Sequence, residues 1–381
     1  MIYLDHSATT KPYKEVCDTV CRALREDFWN PASMYRPAAA VAGKMKTAFA
    51  SLASDLGCEP SELIQTSCAT EASNMALKGL FSRYGTRLNT IIATEADHDA
   101  TLSTLNYLEQ HGARIILLKP LKNGLIDPDD LEHVLDERTL CVSLLWVNNE
   151  TGVVQDLETL CKVIRRKAPE CFIHADMVQA WGKIDFSLQD LDVDLASFSA
   201  HKIHGPKGTG LLYKRKKVIP DVLIHGGGQQ NGWRSGTENW PLLAGMAKAS
   251  AMQKESFARR KERVRALNKT LKEGLRHTPA VISFPHALDE IVSVSFPGLR
   301  GETLMHMLDE KGVYLSTSSA CQAGSKGISH VLKACRMEKK QAEGTLRISL
   351  DASNSEEEIK TFIKILEEVL DTLRDWGMYQ D

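Results

Sequence analysis

Short apolar runs alternate with amphipathic stretches along the first half of the chain. Apolar and β-branched side chains follow one another over lengths typical of strands at 63–67, 90–93, 114–118, 140–147 and 171–175. Patterns that favour helices flank these runs, at 13–27, 38–56, 71–84, 100–111, 128–135 and 157–166. Strands joined through helices imply right-handed crossovers. The pattern therefore predicts an α/β fold whose mostly parallel sheet is covered by helices on both faces.

A long, densely charged helix is predicted to join this part of the chain to a second part. It extends from Pro241 to past Leu275 and is interrupted only by Gly245. Beyond it, strands are expected at 291–296, 313–316 and 345–350, and helices at 301–311, from 329 and from 355. We expect a large domain at 15–257, a smaller α+β domain at 258–381 and an N-terminal segment, 1–14, that packs with the smaller domain.

Composition narrows the class of protein. The 381 residues, of which 43% are apolar and 25% charged, are typical of a soluble globular enzyme of about two domains. A net charge of −2 gives no electrostatic reason to expect nucleic acid or an anionic membrane as a direct partner. The start resembles no signal peptide, so we expect a cytoplasmic protein. Nine cysteines without C-x-x-C pairs argue against a disulfide framework and a zinc site, and no metal is expected.

Polar residues stand at the carboxyl ends of predicted strands. They are Thr70, Asn149, Asp176 and Lys202. Ligands of open α/β sheets bind beyond these ends, so the four positions indicate a shared site. The small residues and the hydroxyl at 68–71 also precede a helix, whose first N–H groups favour anions. Glu71 is equally an ordinary residue for a helix start, so an anion site is one of two interpretations there.

Lys202 is the strongest single candidate for chemistry. It follows the apolar run 193–198, and the glycines at 205, 208 and 210 are predicted to end any regular element after it. A lysine at the end of a buried strand is partly desolvated, which favours the neutral, nucleophilic amine. Schiff-base chemistry with an aldehyde suits such an amine. The alternative is a solvated lysine beside a turn.

Nine motifs follow one another along nearly the whole chain. They are YLDHSATT, NPAS, CATEASN, VNNETGVVQ, HADMVQ, SFSAHKIHGPKGTG, HGGGQQNGWRSGT, SSAC and LRISL. In this order they resemble the NifS/IscS-type cysteine desulfurases of the class V aminotransferase group. The resemblance implies the type I pyridoxal-phosphate fold, with pyridoxal 5'-phosphate as cofactor.

The resemblance also implies roles for individual residues. Lys202 would bind the cofactor covalently, Asp176 would pair with its pyridinium nitrogen, and His98 would stack on its ring. Asn149 and Gln179 match positions that contact the substrate or the ring oxygen, and Arg347 resembles the arginine that binds the substrate carboxylate. The expected phosphate contacts are Ala69, Thr70, Ser199, His201 and, from the neighbouring subunit of a homodimer, Thr237.

Cys321 differs from the other cysteines because its neighbours, 316–319 and 322–327, are small and polar. The resemblance makes it the nucleophile that accepts sulfur from L-cysteine, leaving L-alanine and a persulfide. Because the thiolate is the attacking form, activity should fall at acidic pH. The persulfide sulfur would pass to an acceptor protein, either an iron–sulfur scaffold or a tRNA-thiolating enzyme.

Several positions depart from the family pattern. Cys68 replaces a glycine, Met177 replaces a smaller residue and is expected to crowd the cofactor, Gln230 and Asn231 replace a Glu-Arg pair, and the loop at 316–319 lacks a glycine. Three other interpretations stay open. They are a selenocysteine lyase, another class V transaminase, and a catalytically inactive binding platform. Loss of Lys202, Asp176 or Cys321 would favour the last, and all three are present.

Overall fold

The computed structural model describes residues 1–317 and 328–377. The strands of this part of the chain are β1 Ile2–Tyr3, β2 Leu63–Thr66, β3 Thr90–Thr94, β4 Arg114–Leu118, β5 Thr139–Leu145, β6 Phe172–Asp176, β7 Leu195–Ser199, β8 Gly210–Lys214, β9 Val281–Ile282, β10 Ile291–Ser295, β11 Val313–Tyr314, β12 Ser316–Thr317 and β13 Thr345–Ser349. The helices are α1 Lys14–Glu26, α2 Arg36–Leu56, α3 Ala69–Tyr84, α4 Asp99–Gln110, α5 Pro128–Val134, α6 Leu157–Lys167, α7 Trp240–Glu255, α8 Phe257–Leu275, α9 Gly301–Glu310, α10 His330–Ala334, α11 Lys339–Glu343 and α12 Glu356–Asp375.

The large sheet has seven strands in the order β2-β8-β7-β6-β5-β3-β4. Pairing is parallel from β7 through β4, whereas β8 is antiparallel to both of its neighbours. Apolar side chains of α1, α2, α6 and α7 pack in a core on one face, and those of α3 and α4 pack on the other. The predicted α/β architecture with a mostly parallel, doubly covered sheet is confirmed.

A smaller antiparallel sheet, β12-β13-β10-β9, lies in the C-terminal part of the chain. Its core includes apolar residues of α8, α9 and α12, together with Ile2 and Leu4 from the N-terminal segment. β1 also pairs in parallel with β11. These contacts fit the expected packing of the N-terminal segment, although the domain boundaries at 14 and 257 stay a prediction.

The predicted single helix between the two parts is wrong. Two helices, α7 and α8, meet at Ser256, whose φ and ψ are −97° and 5°. The Ser256 hydroxyl donates to the Met252 carbonyl at 2.6 Å and accepts from Arg260 at 3.2 Å. Side-chain hydrogen bonds of this kind compete with the helical pattern and bend helices.

Gly245, in contrast, does not interrupt α7. A Cβ atom there would lie 2.5 Å from Val20 of α1, so the glycine permits a close approach of the two helices.

The predicted strand at 313–316 is two strands that belong to different sheets. β11 pairs with β1, and β12, after Leu315, pairs with β13. β8 is a strand that the sequence pattern did not predict. Its first residue, Gly210, lies so close to the Phe198 carbonyl and the Cys68 backbone that a Cβ would meet them at 2.4 and 2.9 Å. Among the described residues, no helix is long and apolar enough to cross a lipid bilayer.

Candidate active site

The carboxyl ends of four parallel strands lie along one edge of the large sheet. β7, β6, β5 and β3 are neighbours in this order in the sheet. The register pairs Leu145 with Asp176, and Asp176 with Ser197. The segments that follow these strands, and the start of α3 after β2, carry the predicted site residues His98, Asn149, Asp176, Lys202 and Thr70.

Lys202 ends a short 3-10 turn, Ala200–Lys202, directly after β7. Its Nζ donates to the carbonyl oxygens of Ser7, at 2.5 Å, and Ala8, at 2.8 Å. Both acceptors belong to the N-terminal segment, which therefore lies over the sheet edge. These two hydrogen bonds hold the amine at the sheet edge.

Asp176 is the last residue of β6, and only 6% of its surface is exposed. Its Oδ1 accepts from the backbone N–H of Val178 at 3.0 Å. Burial raises the pKa of this carboxyl, and the charges of His98 and Lys202 act in the opposite direction. The three side chains are thus close enough to interact electrostatically. A buried carboxylate at this sheet edge suits a protonated pyridine nitrogen.

His98 caps the N-terminus of α4. Its Nδ1 accepts from the backbone N–H of Ala100 at 3.0 Å, which fixes the ring orientation and leaves the proton of the neutral ring on Nε2. The predicted stacking position therefore has a rigid support.

Gln179 is almost completely buried and links two other polar groups. Its amide nitrogen donates to the Ser7 carbonyl at 2.9 Å, the same oxygen that accepts from Lys202. Its amide oxygen accepts from Lys183 at 2.9 Å. Burial lowers the pKa of Lys183 to about 8. This hydrogen-bonded chain fixes the direction in which the Gln179 amide points.

Two of the predicted phosphate contacts lie in the first turn of α3. Ala69 and Thr70 begin this 16-residue helix, and the side chain of Cys68, at the N-cap, accepts no hydrogen bond from the turn. Free N–H groups at a helix start bind anions. Ser199 is buried at the end of β7, at the same sheet edge.

His201 adds a donor on the Lys202 turn. Its Nδ1 lies 3.1 Å from the Thr9 hydroxyl. Burial, assisted by the charges of Lys202, Lys207 and Lys183, lowers its pKa to about 4. The ring is therefore neutral at physiological pH and acts through hydrogen bonds rather than through charge.

Two predicted site residues come from other parts of the chain. Thr237 is exposed and lines a cleft of about 160 Å³ with Ser67, Gly208 and Arg234. Arg347, on β13 of the small sheet, is 1% exposed. It donates to the Asn149 carbonyl at 3.1 Å and to Asp5 at 2.8 Å. Cys321 lies outside the described residues.

Two of the departures from the family pattern have defined surroundings. Met177 is completely buried and belongs to the main core, and the expected crowding of the cofactor stays a prediction. Gln230 accepts from the backbone N–H of Gln65 at 2.9 Å and donates to Glu238 at 2.6 Å.

The contribution of the N-terminal segment was not predicted. The motif YLDHSATT by itself predicts no role for Ser7, Ala8 or Asp5. The signal available was the polar turn that follows a very short strand. Lys183 was also missed, since a lysine on a short turn gives no sign of its burial.

Comparison with known proteins decides the family. A family model described as aminotransferase class-V matches residues 2–362. Cysteine desulfurase IscS of Escherichia coli is 37% identical over 391 aligned positions, which cover 100% of this chain and 96% of the relative. The chain therefore belongs to the class V aminotransferase family. Cysteine desulfurase IscS of Methanosarcina thermophila is 34% identical over 377 positions, covering 98% and 93%.

Solved structures agree with this assignment. A structure titled NifS-like protein superposes with a TM-score of 0.93 at 39% identity, covering 98% of this chain and 100% of that one. A structure titled SspA in complex with cysteine has a TM-score of 0.83 at 30% identity, covering 93% and 100%. The predictions of family, type I fold, enzyme class and pyridoxal-phosphate cofactor are confirmed.

Proposed function

We propose that this chain, as a cysteine desulfurase, uses Lys202 and Cys321 to convert L-cysteine to L-alanine and enzyme-bound sulfane sulfur. The observation that carries the proposal is the position of the Lys202 amine at the sheet edge, where its charge acts on the buried Asp176 carboxyl. When bound, pyridoxal phosphate supplies an electron sink for negative charge that develops next to the amino group of the substrate.

These residues would hold the cofactor by its ring and by its phosphate. Lys202 binds it covalently, and Asp176 keeps its ring nitrogen protonated. His98 supports the ring face, and Gln179 donates to a ring oxygen. The first turn of α3, Ser199 and His201 receive the phosphate, together with Thr237 of the partner subunit in a homodimer. No metal is required by this donor set.

The substrate would be held by its carboxylate. Arg347 presents its guanidinium from β13 and is oriented by the Asn149 carbonyl. Asn149 itself lies in the segment that follows β5 and would also contact the substrate. The Lys202 amine would move the α-proton of the substrate.

The transfer of sulfur to Cys321 requires no external oxidant. The Cys321 thiolate attacks the sulfur of the bound substrate, so an S–S bond forms while the carbon–sulfur bond breaks, and the bonding electrons remain on carbon. Carbon then takes a proton and leaves as L-alanine. The products are alanine and a Cys321 persulfide, which passes its sulfur to an acceptor protein such as an iron–sulfur scaffold or a tRNA-thiolating enzyme.

The experiment is to measure sulfide and alanine from L-cysteine, with a reductant, for wild type and Cys321→Ala. Equal amounts of both products from the wild type, and neither from a variant that still binds the cofactor, support the proposal. Undiminished sulfide release by the variant contradicts the role of Cys321. A transaminase would keep its activity in this variant, and a selenocysteine lyase would act on selenocysteine but not on cysteine.

A further inference from the structure

Asp5 and Arg347 form a buried ion pair at the side of the candidate site. Arg347 Nη2 donates to Asp5 Oδ1 at 2.8 Å, and the side chains are 2% and 16% exposed. Arg347 Nη1 donates to the Asn149 carbonyl at 3.1 Å. Arg347 Nε is buried and has no hydrogen-bond partner among the residues that the structure describes. Among the described residues the guanidinium therefore has one carboxylate partner, and one of its three nitrogens, Nε, makes no hydrogen bond.

Backbone pairing fixes this ion pair in place. Asp5 bridges to Ser349 on β13, and the N–H of Ser7 donates to the Ser349 hydroxyl at 2.9 Å. The second oxygen of Asp5 accepts from the Ser316 hydroxyl at 2.8 Å, and Ser316 is paired with Arg347 in the β12–β13 ladder. Both carboxylate oxygens are thus in use. A buried guanidinium requires such a partner, because an unpaired buried charge is strongly destabilising.

We propose that Asp5 is an affinity-setting residue that competes with the substrate carboxylate for Arg347; this rests on the proposed function, in which Arg347 binds that carboxylate. An arriving carboxylate must share the guanidinium with Asp5, and like charges that share one site repel each other. Asp5 therefore weakens the binding of L-cysteine. It weakens L-alanine binding equally, which favours release of the product.

The competition depends on the charge of Asp5 rather than on its hydrogen bond to Ser316. Asp5→Asn keeps the size of the side chain and an oxygen acceptor but removes the negative charge. Ser316→Ala removes a hydrogen bond to the same carboxylate and keeps the charge. The two variants therefore separate electrostatic competition from a general loosening of the segment.

The test is a titration of each holoenzyme with L-alanine, followed by the visible absorbance of the cofactor. L-alaninamide, which lacks the carboxylate, is the control ligand. We expect Asp5→Asn to bind L-alanine about tenfold more tightly than the wild type, within the range typical of coupling between sites. Binding of L-alaninamide by Asp5→Asn, and of L-alanine by Ser316→Ala, should stay within about twofold of the wild type.

Other outcomes are equally informative. L-alanine binding by Asp5→Asn that is unchanged or weaker overturns the proposal, as does equal tightening by Ser316→Ala. If Asp5→Asn does not retain the cofactor, Asp5→Ser provides the same loss of charge with a smaller side chain. A wild type that shows no saturable response to L-alanine contradicts the proposed function and this inference together, whereas failure confined to the variants contradicts the inference alone.

Discussion

Lys202 Nζ donates to the Ser7 carbonyl at 2.5 Å, across a sequence separation of 195 residues. The same oxygen accepts from the Gln179 amide at 2.9 Å. One backbone carbonyl of the N-terminal segment thus positions two side chains, which come from the turns that follow β7 and β6. The site is assembled from the sheet edge and from a segment that is not part of the sheet.

Asp176→Asn should lower the activity of the enzyme without lowering its stability. Asparagine keeps the oxygen that accepts from Val178 but cannot keep a pyridine nitrogen protonated. We expect cysteine turnover to fall by about 100-fold or more. Because burial raises the pKa of Asp176, the buried charge opposes folding, and the unfolding free energy of the variant should be unchanged or higher.

Denaturant unfolding and alanine production check both parts of this prediction. A variant that loses stability in parallel with activity would assign Asp176 a structural role instead.

Lys183→Met should weaken the retention of the cofactor. The change removes the hydrogen bond that orients Gln179 and keeps an unbranched side chain of similar length in the buried site. Loss of one orienting hydrogen bond predicts a cofactor dissociation constant about three- to tenfold higher. Fluorescence titration of the cofactor-free variant measures it. An unchanged constant would show that Gln179 needs no such support.

His174 should make the protein sensitive to acid. It is completely buried, its ring nitrogens lie 2.9 and 2.8 Å from the hydroxyls of Ser143 and Ser197, and burial lowers its pKa to about 4. Between pH 6.5 and 4 the unfolded chain binds a proton that the folded chain does not, so stability falls as the pH falls through this window. The loss from this residue reaches about 3 kcal/mol near pH 4.

His174→Gln should remove this part of the pH dependence while keeping a polar partner for both serines. Urea unfolding at pH 7 and pH 4.5 gives the slope of the unfolding free energy against pH for the wild type and for the variant. Identical slopes for wild type and variant would assign the acid sensitivity to other groups.

Gly245 and Gly43 form a matched pair of helical glycines. A Cβ at Gly245 would lie 2.5 Å from Val20, whereas a Cβ at the exposed Gly43 of α2 meets nothing within 4 Å. Gly245→Ala should therefore lower the unfolding free energy by about 1–3 kcal/mol. Gly43→Ala should raise it by about 0.5–1 kcal/mol, since alanine favours helices. Thermal and urea unfolding test the opposite signs, and a stabilising Gly245→Ala would contradict the tight packing of α1 on α7.

The sequence predicted the sheet edge well because the signal there is local. Apolar runs end at Asp176 and shortly before Lys202, and the period of the pattern places both residues at strand ends. The break at Ser256 was missed because a serine within a helical pattern only weakly disfavours the helix.

The contacts of the N-terminal segment could not be predicted for a different reason. The Ser7 and Ala8 carbonyls act as acceptors through the backbone, which carries no information about residue type. The pairing of Asp5 with Arg347 likewise depends on the register between this segment and β13, which forms across more than 340 residues.

The most direct test of this account is to identify the lysine that binds pyridoxal phosphate. The holoenzyme is reduced with borohydride, digested and mapped by mass spectrometry, with Lys202→Ala as the control. We predict that the cofactor is attached at Lys202 alone and that the variant yields no labelled peptide. Attachment at Lys183 or Lys207 in the wild type would contradict the assignment of the active site.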